Sequence, residues 1–223
     1  MSYVYMKSLE SKAERYDKGI NTLTLGKYPK IKQYIADNFL NEGENLLDIG
    51  MGTGTFAILA ANKGLNVTGV DYSEKMLTIA RRNIKERSLS KQINIKKMPI
   101  INLDKEFKNN SFDKVTAMLM FSELYEKEQD FTLDQIYRIL KESGEFILVD
   151  EVKPKVLWKK ILYFIIRVPL VILTFLKSQL TTKALNNFEE RLKKHRFEII
   201  NEKYYLLDTL VLLRIKKRVD TKE

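Results

Sequence analysis

Two rhythms of apolar residues run through this chain, short bursts of strand length and longer stretches at helical spacing. Leu46, Leu47 and Ile49 make the first burst, which suits a strand buried on both faces. A bend at Gly50, Gly52 and Gly54 follows, and from Thr55 the pattern FAILAANKG is helical, closing on Gly64 where a left-handed cap belongs. A second strand, Asn66 to Val70, ends in Asp71. Ser73 then caps a helix whose apolar face is Met76, Leu77, Ile79, Ala80 and Ile84. A third strand is expected at Ile93 to Lys97 and a fourth at Lys114 to Met118. The helix through Leu133, Ile136, Tyr137, Ile139 and Leu140 is expected to end at Gly144, ahead of a fifth strand, Glu145 to Val149. A helix at Asn186 to Lys194 and strands at Phe197 to Tyr205 and Thr209 to Lys216 complete the pattern. Upstream, residues 1–27 read as an arm with little strand character. Ile31, Ile35 and Phe39 keep helical spacing after Pro29, and Asn41-Glu42-Gly43 breaks the chain before the first strand. Strands alternating with helices predict an α/β domain over 1–223 with a helical arm at 1–43.

One stretch fits neither rhythm. Within an insert at 152–185, Ile161 to Leu176 is nearly all apolar. As a helix it spans only ~24 Å against ~30 Å of hydrocarbon. Arg167 at its middle costs ~2.5 to 3.5 kcal/mol in a bilayer, and Pro169 kinks it, which argues against a transmembrane helix. Two readings remain: a lid over an apolar pocket, or an interfacial anchor flanked by Lys155, Lys159, Lys160 and Lys177. Its place after the fifth strand, where an acceptor must enter, favours the lid.

The glycine bend carries the candidate chemistry. A dinucleotide fingerprint, G-x-G-x-x-G, would need glycine where Thr55 stands; here the order is G-x-G-x-G, preceded by Asp48. A carboxylate there suits a cationic group or the loop's N–H groups better than a phosphate. Asp71, roughly twenty residues beyond the glycines, is placed to accept both ribose hydroxyls, so the expected ligand bears a nucleoside.

Composition narrows the classes. In 223 residues there is no cysteine, which excludes disulfides, thiolate metal sites and a cysteine nucleophile, and no metal centre is expected. The only histidine, His195, lies among lysines at a helix end and is not expected to be catalytic. Net charge is +10, which favours anionic partners, although the basic clusters are scattered. The start, MSYVYMKSLESKAERYD, lacks an apolar core of signal-peptide length, so a cytoplasmic protein is expected.

LLDIGMGTG followed by VTGVDYSEKML resembles motif I and the next strand of class I S-adenosylmethionine-dependent methyltransferases. The resemblance implies a Rossmann-like, seven-stranded, mostly parallel sheet with an antiparallel edge, and S-adenosylmethionine as methyl donor. It implies a cofactor-binding set of Tyr16, Asp48, Gly50, Gly52, Gly54, Asp71, Tyr72, Met98 and Met118. A "YD" such as Tyr16-Asp17 belongs in that family to a helix that folds over the cofactor. Family members place an acid after the third strand to hold the adenine amino group; Met98-Pro99-Ile100 stands there instead, with Asn102 or Asp104 as substitutes. At the carboxyl end of the fourth strand, Phe121, Ser122 and Glu123 should face the acceptor. Glu123, Asp150 and Glu151 are the candidate bases for an acceptor that must lose a proton.

The strings ERYDKGINTLTLGK, FSELYEKE, VDEVKPK and IRVPLVILTFLKSQLTTKALNN look narrower still, like the corrinoid protein-associated methyltransferases. Met51 and Met120 stand where that group has cysteines. This likeness implies a link to one-carbon metabolism and a corrinoid-binding partner. The expected activity is methyl transfer to a small, apolar acceptor. Alternatives are a lipid or quinone methyltransferase working at an anionic membrane surface, and an RNA methyltransferase, disfavoured because no N-P-P-Y-like string follows the fourth strand. A module that only senses S-adenosylmethionine or binds a partner would keep the cradle and need nothing at Phe121 to Glu123.

Overall fold

The computed structural model describes residues 16–165 and 184–218. Seven strands make one sheet in the order β3-β2-β1-β4-β5-β7-β6. They are β1 Asn45–Ile49, β2 Asn66–Asp71, β3 Ile93–Lys97, β4 Phe112–Met118, β5 Leu140–Glu151, β6 Phe197–Tyr205 and β7 Leu210–Lys217. The first five run parallel. β7 lies antiparallel between β5 and β6, so the reversed strand belongs to the hairpin that closes one edge.

Besides the single turn Leu103–Glu106, the α-helices among the described residues are α1 Tyr16–Leu23, α2 Lys27–Phe39, α3 Thr55–Asn62, α4 Glu74–Glu86, α5 Glu126–Ile139, α6 at residues 157–165 and α7 Phe188–Lys194. Strand alternation deals their side chains into two cores. Leu46, Ile147, Val149, Leu210 and Leu212 pack beneath α1 to α4, while Leu47, Phe146, Leu148, Val211 and Leu213 pack beneath α5 and α7. Both faces are therefore covered, and the buried strands read as continuous apolar runs.

The chain departs from the expected boundaries at one place that matters. α5 stops at Ile139 rather than Gly144, because Leu140 is already extended and pairs with Phe112 at the start of β4. Leu140 fits the helical spacing set by Ile136, so periodicity alone carries the helix too far. Of the 152–185 insert, residues 166–183 lie outside the described residues, as do Glu14 and Arg15 of the arm. Among the described residues no helix is long and apolar enough to cross a membrane.

Candidate active site

β1 has β2 on one side and β4 on the other, so the chain leaves it in one direction and returns on the opposite one. A crevice opens beyond the carboxyl ends of strands at such a switch point. Here it is a cavity of about 320 Å³, floored by Ile49, Gly50 and Gly52 from the end of β1, Val70 and Asp71 from β2, and Met118 from β4.

The loop between β1 and α3 is held from β2. The Gly50 and Met51 amides both donate to the Val70 carbonyl, at 2.9 and 3.0 Å. The Gly52 amide donates to Asp71 Oδ2 at 2.9 Å, and the Ser73 amide to Asp71 Oδ1 at 2.8 Å. Gly52 has φ +55°, and a Cβ there would meet no protein atom within 4 Å, because it would project into the cavity. Gly54 does something else: a Cβ on it would come within 3.3 Å of Ala80 Cβ, so its bareness lets α3 pack on α4, and it does not line the cavity.

The loop amides, which the sequence reading offered to Asp48, fall to the other acid. Asp71 anchors the loop amides, whereas Asp48 is buried beneath the loop and accepts from the Thr116 hydroxyl at 2.7 Å. Burial pushes the Asp48 carboxyl up to about 6; Thr116 and the positive charge of Lys32 oppose the rise, while the neighbouring Asp71 adds to it. Burial also raises Asp71, against the pull of the Ser73, Gly52 and Tyr72 amides. Lys32, from α2, donates to Thr55 Oγ1 at 2.5 Å, and burial lowers its affinity for a proton while Asp17 and Asp48 support it. Sequence reasoning missed Lys32 and Thr116; the register pairing Asp48 with Thr116 follows once β4 is set beside β1.

The walls are mostly apolar. Met98, Pro99, Ile100 and Ile101 make one side with Tyr72, and Leu119, Met120 and Leu124 the other. Neither Asn102 nor Asp104 reaches the lining. Tyr16 closes over the cavity from α1, and the next residue, Asp17, latches that helix to the loop by accepting from Thr53 Oγ1 at 2.9 Å. Glu123 and Glu128 bring carboxylates to the rim, where Glu128 also caps α5 by accepting from the Tyr125 amide.

Residues 46–144 match the methyltransferase domain family. A demethylmenaquinone methyltransferase of Symbiobacterium thermophilum is 31% identical over 155 residues, covering 67% of this chain and 60% of its own. The chain thus spans less than two thirds of that relative. Among solved structures, a Methanococcus maripaludis protein assigned to the S-adenosylmethionine-dependent methyltransferases aligns with a TM-score of 0.67 at 23% identity, over 96% of this chain and 95% of that one. The [4+2]-cyclase SpnF aligns with a TM-score of 0.67 at 20% identity, over 85% of this chain and 81% of that one. At such identities the structural likeness speaks for the fold alone. Over residues 46–144 the chain is thus similar to a methyltransferase domain, for which S-adenosylmethionine is the implied methyl donor.

The cavity fits that donor. Asp71 keeps lone-pair capacity beyond the backbone amides that meet it, the open face of Gly52 admits a ligand, and the apolar side walls suit a flat base. Of the residues read as donor-binding, Tyr16, Gly50, Gly52, Asp71, Tyr72, Met98 and Met118 share this cavity; Asp48 and Gly54 support it from beneath.

On the acceptor side the structure is more selective. Glu123 lines the cavity, but Phe121 is fully buried, packed against Phe146 and Phe188. It holds up the turn Phe121–Glu123 and touches no ligand space there. Asp150 is also buried: it accepts from the Ser122 amide at 3.1 Å and the Glu151 amide at 2.7 Å, and burial pushes it up to about 6. Glu151 accepts from the Tyr163 hydroxyl at 3.0 Å. Both acids therefore brace the rim of the sheet, which leaves Glu123 as the one of the three candidate bases that lines the cavity. Met51 lies under the loop against Gly69, while Met120 packs on Gly50 and faces the cavity. His195 is remote from this lining, pinned between Asp134 at 2.6 Å and Asp130 at 3.1 Å, where it ties α7 to α5.

Proposed function

We propose that the domain methylates a small, apolar, ring-bearing acceptor of the quinone class. The reading is carried by one observation: the chain shares 31% identity over 155 residues with a demethylmenaquinone methyltransferase, and its cavity wall on the acceptor side is Leu119, Met120 and Leu124. Such a wall rewards an apolar partner at roughly 25 cal/mol per Å² of covered surface and keeps water from the reacting atoms.

Bound S-adenosylmethionine supplies a methyl group already activated by its sulfonium. The chain's own residues then have a positioning task. Asp71 takes the ribose hydroxyls, Tyr16 covers the ligand, and the α1 latch from Asp17 to Thr53 holds that cover in place. Alignment of this kind supplies several kcal/mol of the barrier reduction. As the acceptor forms its bond to the methyl carbon and the carbon-sulfur bond breaks, the acceptor proton passes to the Glu123 carboxylate.

The test is transfer of labelled methyl from S-adenosylmethionine to a short-chain naphthoquinol lacking its ring methyl. Label is expected in the organic extract with the wild type, and at least ~100-fold less with Glu123→Gln, while S-adenosylhomocysteine still binds. The same fold carries a [4+2]-cyclase, so fold alone does not decide chemistry. Tight S-adenosylhomocysteine binding with no label in the quinol overturns the proposal.

A further inference from the structure

Helix α6, residues 157–165, is attached to the body from one side. Lys159 Nζ meets Asp208 at 2.6 Å and the Tyr163 hydroxyl donates to Glu151, while just upstream Lys155 pairs with Glu189 at 2.8 Å. The opposite side is apolar and open. Leu157, Trp158, Ile161, Phe164 and Ile165 are 54% to 72% exposed. At about 100° per residue they share an arc of about 120°, with Lys159 and Tyr163 turned away from it. Scattered exposed apolar residues need no explanation, but five on one helical stripe do.

Charge at the foot of the helix says what covers the stripe. Lys160 borders the arc and Lys153 precedes the helix; both are exposed, and neither has a carboxylate partner among the described residues. Together with Lys155 they line a hollow of about 420 Å³ that also takes in Asn186, Asn187, Glu190 and Glu189, the last paired with Lys155. An apolar stripe carrying tryptophan, bordered by unpaired lysines on a chain of net charge +10, has the chemistry of a helix lying in a lipid headgroup layer.

We propose that α6 and the lysine-lined hollow at its foot dock the protein on an anionic lipid bilayer, with Trp158 inserted among the headgroups. Apolar contact and basic charge act together, since neither alone gives stable attachment. The proposal stands apart from the identity of the acceptor, because it concerns a surface outside the donor cavity.

Trp158 is the chain's only tryptophan, so its fluorescence reports this face directly. With vesicles of phosphatidylglycerol and phosphatidylcholine, the full chain should show a blue-shifted emission, quenched by acyl-brominated lipid and weakened by salt. Pure phosphatidylcholine should give little response. Lys153→Gln with Lys160→Gln should weaken partitioning about 30-fold, equivalent to about 2 kcal/mol at 1.36 kcal/mol per tenfold. Ile161→Ser with Phe164→Ser should abolish the shift, with S-adenosylhomocysteine binding unchanged as proof of a folded domain. The proposal is overturned if anionic vesicles leave the emission unmoved. It is equally overturned if the shift arises without lipid as protein concentration rises, because the stripe would then be covered by a second copy.

Discussion

Removing the Asp71 carboxylate separates donor recognition from loop architecture. Asp71 accepts from the Gly52 and Ser73 amides, one on each oxygen, with the Tyr72 amide beside them, and the carboxylate keeps lone-pair capacity toward the cavity. Two charge-assisted bonds to a ribose diol, at about 1.5 to 3 kcal/mol each, set the loss for Asp71→Ala at no less than about 3 kcal/mol. That is at least a 100-fold weaker S-adenosylhomocysteine complex, measured by calorimetry. The unliganded protein should lose only about 1 to 2 kcal/mol, or about 2 to 8 °C in melting temperature, because water in the cavity can meet the freed amides. A 2′-deoxyadenosyl analogue makes the distinction sharp. The wild type should bind it at least ~10-fold less tightly than the parent ligand, whereas Asp71→Ala should not tell the two apart. Equal discrimination by both proteins would refute the ribose role and leave Asp71 as a loop anchor only.

Four further outcomes follow from the same geometry. Gly52→Ala, at φ +55° with open space ahead, should cost about 1 to 2 kcal/mol in stability and more than tenfold in S-adenosylhomocysteine affinity; melting and calorimetry on one sample check both. Gly69→Ala should do more damage to stability than to the cavity's own lining, since its Cβ would lie 2.2 Å from Met51 Sδ and push that side chain from under the loop; unaltered melting would contradict this packing. Thr53→Val, which removes the hydroxyl that holds Asp17, should speed S-adenosylhomocysteine release about fivefold in stopped flow with little change in melting. For pH, the folded Asp48 carboxyl, at about 6, binds a proton more readily than its unfolded form near 3.8. Its contribution to stability is therefore full below about pH 4 and lost as pH rises through about 6, by about 3 kcal/mol at most. Asp48→Asn should flatten that part of the stability profile, and an unchanged slope between pH 4 and 7 would count against a buried, costly carboxylate.

What could be read from the residues was whatever one element decides alone. The β1 run, the glycine bend and the cap at Ser73 each follow from local pattern, and the structure has Ser73 accepting from the Met76 amide. What could not be read was whatever depends on a neighbour that folding supplies. Asp48 stands closer in sequence to the loop than Asp71, yet strand pairing delivers Asp71 to the Gly52 amide and leaves Asp48 facing Thr116. Phe121 follows a strand whose end faces the crevice, but the turn Phe121–Glu123 rotates successive side chains about a third of a circle, so Phe121 enters the core and Glu123 the cavity. Lys32, which helical spacing leaves as one more polar residue on α2, becomes the cation beside Asp48 only because α2 packs over α3. The donor site is thus a local signature completed by long-range contacts. Substitutions at Lys32 or Thr116, neither of which lines the cavity, are therefore expected to act on it through the burial of Asp48.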